Sequence, residues 1–440
     1  MITDSHPERA LVPPSTFVEA DLVVDEPHLR LVAAKLKDLG VTFDQEEIEL
    51  SRRLGLVLIK NLQGLPDAAA KIKTAADNEK PTIVDKAGPT LAYLLAEATA
   101  TATAAGSELK NLDVVLVELR RRFKAHFGRW IPEMGKNRHV VSVQAGPGGS
   151  KPNAFGDPSP VPGPGVSWPT GGGDPASRAR VRVGMLDTAL FKHEFLYGHL
   201  ANPHPLFELV TPPLFGVLSR LSGHATFVAS LIAKQAPDAE IDLRTVLKDE
   251  VPATMWQTAK GIASFIGAGI DILNLSLGCR TFDGEPPLVL TRAIERLGSS
   301  VLVVASAGNH AATAHPKVPN WPAALPDVIA VGAVDQNGRP AEFSPQLPWV
   351  TVTAPGVDVK GAYVDGKVEL VKDAMKVELV KDAMKEFDGW ALWSGTSFAT
   401  ATVTGLVAAR TVPGVKSARQ ALEELLSHPS SSVGSYLYTP

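Results

Sequence analysis

At 440 residues the chain is long enough for two or three domains of roughly 150 residues each. Its 45% hydrophobic and 20% charged residues exclude wholesale disorder, a collagen-like repeat and a coiled coil. A formal charge of −4, from 43 basic and 47 acidic residues, gives no electrostatic reason to expect nucleic acid or an anionic membrane as partner. The single cysteine, Cys279, excludes an intrachain disulfide framework and a cysteine-based zinc site. The first residues, MITDSHPERALVPPSTF, lack a basic start followed by an apolar run, and no stretch reaches the roughly 18 apolar residues of a membrane helix. The expectation is a soluble, cytoplasmic protein.

Residues 1–145 read as an α+β domain. Asp21 to Asp25 (DLVVD) is strand-like; Leu29, Val32, Ala33, Leu36 and Leu39 follow helical spacing, with Gly40 where a helix would stop. Leu54 to Ile59 (LGLVLI) reads as a buried strand, and Pro89 to Ala105 and Leu112 to Phe127 as helices. The basic stripe of the last helix (Arg120, Arg121, Arg122, Lys124) reads as a solvated face. No catalytic pattern is present in this segment.

Between Gly146 and Pro175, 17 of 30 residues are Gly or Pro, a composition that propagates neither helix nor central strand. Residues 146–178 therefore read as a linker, the alternative being a long ordered surface loop of the domain that follows. Over residues 179–440, apolar runs at Val181 to Leu186, Ile241 to Val246, Ile270 to Leu277, Val301 to Ala305 and Val328 to Val334 alternate with helix-like segments, notably His224 to Lys234 and Leu288 to Leu297. That alternation implies a mostly parallel sheet covered on both faces, with functional residues at the carboxyl ends of its strands. The tandem VELVKDAMK (Val368 to Lys376, Val377 to Lys385) reads as a duplicated loop or strand segment, since nine residues reverse the apolar side in helix or strand. Asp365-Gly366 just before it is a hairpin signal.

Three polar residues stand at telling places: Asp187 at the end of the first strand (VGMLD), His224 opening an apolar helix (GHATFVASLIA) and Ser397 opening a helix of small residues (SGTSFATATV). Serine needs a base within hydrogen-bond reach, histidine suits that role near neutral pH, and a carboxylate fixes its tautomer. Asn309, after the buried run VLVVASAG, offers an amide beside the Ser397 backbone N–H for a developing oxyanion. His193, His199 and His204 are loosely spaced and read as surface residues, not a zinc site.

Seven separated blocks then carry a resemblance: LDT at Asp187, GHATFVAS at His224, LNLSLG from Leu273 to Gly278, ASAGN ending at Asn309, VGAV at Val331, TAPG at Thr353 and SGTSFAT at Ser397. In this order, over about Ala179 to Val433, the sequence resembles the subtilisin-like serine proteases. The resemblance implies a three-layer α/β/α fold around a seven-stranded parallel sheet, preceded here by the smaller α+β domain. It implies serine endopeptidase activity on peptide or protein substrates, with the triad Asp187, His224 and Ser397 and with Asn309 in the oxyanion hole. By the same carry-over, Ser276, Leu277 and Gly278 pair with an extended substrate, and Ser306, Ala307 and Gly308 wall the pocket for the residue preceding the cut. No cofactor and no metal site is assigned, although relatives of this kind bind structural calcium. The chain departs from the family pattern at Ala189, Ala225 and Ala401. The two alanines beside Asp187 and His224, together with the duplicated segment upstream of Ser397, motivate the alternative, a pseudoprotease that binds peptides or partner proteins without cutting them. For the N-terminal domain the resemblance suggests an inhibitory or chaperone-like propeptide, and a substrate-selecting adaptor stands beside it.

Overall fold

The computed structural model describes residues 17–79, 89–104, 107–142, 157–164, 180–201, 204–211, 216–248, 253–281, 284–313, 316–370 and 384–427. Its N-terminal region runs β1 (Phe17–Asp25), α1 (Leu29–Asp38), β2 (Ile48–Ser51), β3 (Leu56–Ile59), α2 (Leu65–Asp77), α3 (Leu91–Ala104), α4 (Asn111–His126) and β4 (Met134–Ser142). β1 lies antiparallel between β3 and β4, and β2 adds to β3. The strands β1 and β3 are buried on both faces. Leu22, Val24, Val57 and Ile59 pack with Leu36, Ile72 and Phe123 of the region's own helices. The alternate residues Val23, Leu56 and Leu58 join a second core with Trp256, Ile262, Leu290 and Ile294 of the following region. α1 buries Val32 and Leu36 and ends before Gly40, whose φ of +80° suits glycine. The basic stripe is only partly a solvated face: Arg121 and Arg122 each lie 2.6 Å from the buried Glu118 carboxylate.

The following region comprises β5 (Ser159–Pro160), β6 (Arg182–Asp187), β7 (Leu190–Phe191), β8 (Leu209–Val210), β9 (Leu218–Ser219), α5 (His224–Gln235), β10 (Glu240–Thr245), β11 (Ala253–Thr254), α6 (Met255–Ala263), β12 (Ile272–Leu275), β13 (Leu277–Arg280), α7 (Leu288–Leu297), β14 (Leu302–Ser306), β15 (Asn320–Trp321), β16 (Val328–Val334), β17 (Val352–Pro355), β18 (Val359–Glu369), β19 (Met384–Trp393), α8 (Thr396–Ala408) and α9 (Ala418–Ser427). Six strands form a parallel sheet in the order β10-β6-β12-β14-β16-β17. Alternate residues serve opposite faces: Met185, Ile272 and Val304 pack with α5 and α8, and Leu186, Leu273 and Val303 with α6 and α7. The result is a three-layer α/β/α domain.

The seven parallel strands implied by resemblance are reduced to six among the described residues. Beyond β10 these show only a single parallel bridge, Leu200 to Ile241, and the sequence just after it carries Pro203 and Pro205, which lack the donor a longer ladder needs. The Asp365-Gly366 hairpin signal is also corrected. Both residues lie within β18, opposite Asp388 and Phe387 of β19, next to a register shift after Ala362 that accommodates the φ of +123° at Gly366. The duplicated nonapeptide begins in β18 and ends in β19, with Val368 opposite Lys385; its middle, like most of the Gly/Pro-rich stretch, lies outside the described residues. Within that stretch, β5 is docked antiparallel to β19 and Asp157 lies 3.7 Å from Arg220.

The two regions share a continuous sheet, β15-β13-β4-β1-β3-β2, with β11 also on β4. Polar groups fix the docking. Asn137 Nδ2 donates to Asp21 (2.9 Å) while its Oδ1 accepts from the Trp256 N–H (3.1 Å) and so satisfies an open donor in the first turn of α6. Arg292 reaches Asp25 (3.0 Å) and Glu133, and Arg53 donates to the Ala263 carbonyl at 2.9 Å. Glu49 sits between Lys260 (2.6 Å) and Lys60 (2.8 Å). Burial alone would raise its carboxyl, but these two lysines hold it at about 2 against an ordinary 4.5. A depressed acid stabilises the docked state above its ordinary value, and that contribution is lost as pH falls from about 4.5 towards about 2. The hydrogen-exchange protection of β1 and β3, relative to the unstructured chain at the same pH, should therefore fall across that window, and Glu49→Gln should remove much of the pH dependence while weakening protection at neutral pH.

Candidate active site

Each candidate residue sits where the sheet or a helix ends. Asp187 closes β6, His224 opens α5, and Ser397 is the second residue of α8. In a parallel sheet these strand ends and the helix starts that follow them gather on one rim. His224 Nδ1 lies 2.7 Å from Asp187 Oδ1, and both side chains are fully buried. A carboxylate only accepts, so Nδ1 carries the proton and Nε2 is left as an acceptor. That Nε2 has no hydrogen-bond partner among the described residues. Asp187 Oδ1 also accepts from the Thr188 N–H at 2.7 Å, and Thr188 Oγ1 accepts from the Ala225 N–H at 3.1 Å, tying the aspartate strand to the histidine helix. The Ala225 methyl is buried in the main core and leaves the Asp187–His224 contact intact.

Ser397 is equally buried, and its Oγ donates to the Ser276 carbonyl at 3.4 Å, not to His224. The structure thus joins Asp187 to His224 and Ser397 to the Ser276 wall, and does not form the serine–histidine hydrogen bond. Ser276 Oγ in turn donates to the Ser397 carbonyl (3.1 Å) and accepts from Asn274 Nδ2 (3.1 Å), whose Oδ1 accepts from Thr404 (2.9 Å). This network fixes the start of α8 against the end of β12.

Thr396 is a residue that sequence reasoning missed. Its N–H and Oγ–H both donate to Asn309 Oδ1 at 3.0 Å, and its Oγ accepts from the Gly308 N–H at 3.1 Å. With Oδ1 engaged twice, the Asn309 NH₂ is turned away from Thr396. The signal lay in SGTS, as the residue just before the serine. Also unassigned was an aromatic group under His224: Trp393 is edge-on to the imidazole with centroids 5.8 Å apart, Phe398 is at 5.9 Å, and Phe227 and Tyr363 pack against Trp393.

The Ser276–Gly278 strand is already paired. Val141 and Ser142 of β4 lie antiparallel to Gly278 and Leu277, and on the other side His139 and Val140 face Thr254 and Ala253 of β11. The N-terminal region therefore supplies an extended strand between two edges that flank the site.

Two of the three loosely spaced histidines are not surface residues. His199 is buried, and His193 is half-buried with Nε2 at 3.0 Å from the Gly389 carbonyl and its ring against Trp390. Among the described residues no three His, Cys, Asp or Glu side chains are grouped to hold a metal, and no helix is long and apolar enough to cross a membrane.

A three-layer parallel α/β domain with an aspartate–histidine pair and a helix-start serine on its rim defines a hydrolase-like architecture. The family model described as the subtilase family (Peptidase S8) matches residues 179–424, and the chain belongs to that family. A thermostable alkaline protease of Halalkalibacterium halodurans is 32% identical over 196 residues, 42% of this chain and 46% of that protein. A thermophilic serine proteinase of Bacillus sp. (strain AK1) is 30% identical over 267 residues, 58% of each chain. The chain thus spans about half the length of these curated relatives. Fervidolysin from Fervidobacterium pennivorans, a keratinolytic enzyme related to subtilisin, shares the fold with a TM-score of 0.52 and 18% identity over 95% of this chain and 56% of that one.

Trp393, 1% exposed, is held by four aromatic neighbours including His224. Trp393→Ala should cost about 3–5 kcal/mol of stability in urea unfolding; a loss under about 1 kcal/mol would mean the group does not support the site.

Proposed function

We propose that the chain is a serine endopeptidase and that Ser397 is its nucleophile. The observation that carries this reading is the buried 2.7 Å Asp187–His224 pair on the rim that also holds Ser397 and Asn309. Asp187 holds the His224 tautomer with Nε2 open to accept the Ser397 proton once that hydroxyl leaves the Ser276 carbonyl. His224 takes the Ser397 proton as Oγ bonds to the substrate carbonyl carbon. The resulting oxyanion accepts from Asn309 and from the Ser397 backbone N–H. Collapse breaks the C–N bond, with His224 returning the proton to the leaving amine, and water then hydrolyses the acyl-enzyme by the same route in reverse order. Ala225 does not favour the pseudoprotease alternative, because its methyl packs into the core behind the pair.

The same reading makes the N-terminal region an intramolecular inhibitor. β4 occupies the edge that a substrate strand would use, and Asp187, His224 and Ser397 are all inaccessible to solvent in the full chain. Main-chain pairing of this kind gives affinity with little dependence on sequence.

Peptide hydrolysis by the full chain should be lost in Ser397→Ala; cleavage at the wild-type rate would sink the assignment. Asn309→Ala should lower kcat by roughly 10²–10³ with KM little changed. Thr396→Val should lower it less, since the amide remains but loses its Oγ anchor. Val140→Asp puts a carboxylate into an apolar core position and should loosen β4, raising the rate at which an active-site serine reagent labels the full chain; an unchanged rate would rule out the inhibitory role.

A further inference from the structure

Polar side chains lie against the two segments, Ser276 to Gly278 and Ser306 to Gly308, that the resemblance assigns to substrate. Asn320, 4% exposed, opens β15 opposite Arg280 of β13. A Cβ placed on Gly278 would meet Asn320 Nδ2 and Oδ1 at 2.7 Å, and one placed on Gly308 would meet His310 Nδ1 at 2.7 Å and Asn320 Cγ at 3.4 Å. One carboxamide therefore lies against both walls, with an imidazole beside it.

The hydrogen-bond inventory of this floor is incomplete in a specific way. Asn320 Nδ2 donates to the Ser306 carbonyl at 2.9 Å, and its Oδ1 accepts nothing among the described residues. His310 Nε2 lies 2.9 Å from the Val318 carbonyl; a carbonyl only accepts, so Nε2 carries the proton and Nδ1 is an acceptor. Burial, aided by the nearby Arg280 charge, pushes His310 down to about 4, so the ring is neutral at neutral pH. Arg280 follows Gly278 by two residues on β13 and so lies on the same side of the strand, with burial disfavouring its charge.

The floor thus combines two acceptors, His310 Nδ1 and Asn320 Oδ1, with the N–H donors of the Arg280 guanidinium. An aliphatic or aromatic side chain would leave all of them unsatisfied. A carboxylate would satisfy the donors and face both acceptors; an ammonium would satisfy the acceptors and face Arg280. A carboxamide satisfies both sets. Resting on the peptidase reading above, we propose that this pocket selects a carboxamide side chain immediately before the bond that is cut. Glutamine is the first choice, because its stem is one methylene longer than that of asparagine and the polar groups lie at the floor, not at the rim.

The test uses the full chain, wild type and with β4 loosened by Val140→Asp, and fluorogenic peptides Val-Val-Ser-X-aminocoumarin, whose first three residues copy residues 140–142 of β4, with X as Gln, Glu, Phe or Lys. Gln is expected to lead in kcat/KM by about tenfold or more over each of the others. In Asn320→Ala, and in Asn320→Ser should the first variant fold poorly, the Gln-to-Phe ratio should fall by a similar factor, a readout that loss of folded protein does not move. Phe leading, or all four within about threefold, overturns the pocket proposal while cleavage upholds the peptidase. No cleavage by the Val140→Asp chain with a fluorophosphonate adduct still formed on its Ser397 overturns the pocket proposal alone. No cleavage and no adduct overturns both.

Discussion

The edge of β13 is the constraint around which the molecule is arranged. Leu277 and Gly278 leave the parallel sheet just beside Ser397, and their backbone donors and acceptors must be paired. In the full chain β4 pairs them, and through β4 the edge becomes continuous with β1, β3 and β2. The surface proposed to hold a substrate strand thus links the two regions. On the proposed reading, docking and site access are one equilibrium, because a substrate would take that edge only when β4 gives it up.

This explains why both faces of the N-terminal sheet are apolar. One face serves its own helices, while the other, with Val23, Leu56, Leu58 and Val140, completes the core over α6 and α7. The polar contacts at Asn137, Arg292 and Glu49 then set the orientation. Hydrophobic burial supplies the non-directional part of such an interface and charge pairing the register.

The Asp187–His224 pair of the candidate site was legible because such chemistry needs few residue types at strand ends and helix starts, where Asp187, His224, Asn309 and Ser397 stand out against apolar runs. The strands β6, β10, β12, β14 and β16 were legible for the related reason that a sheet buried on both faces reads as continuous Val, Ile and Leu. β4 was not, because Gly135, Lys136, Asn137, Arg138 and His139 show no apolar pattern and are held as a strand by pairing with β1 and β11. α6 was hidden by its Gly261, which Val246 and Leu186 pack against. Asp365-Gly366 misled because pairing with β19 overrides local turn chemistry. Thr396 and Asn320 were invisible for a different reason: their roles depend on contacts with Asn309 and with Gly278 and Gly308 that spacing does not encode.

The account stands or falls on an activated serine at position 397. The most direct measurement is fluorophosphonate labelling of the full chain, followed by intact mass and peptide mapping. The account predicts a single adduct on Ser397, absent in Ser397→Ala and formed faster in Val140→Asp. No adduct in either the wild type or Val140→Asp, or an adduct that maps to another residue, would contradict it.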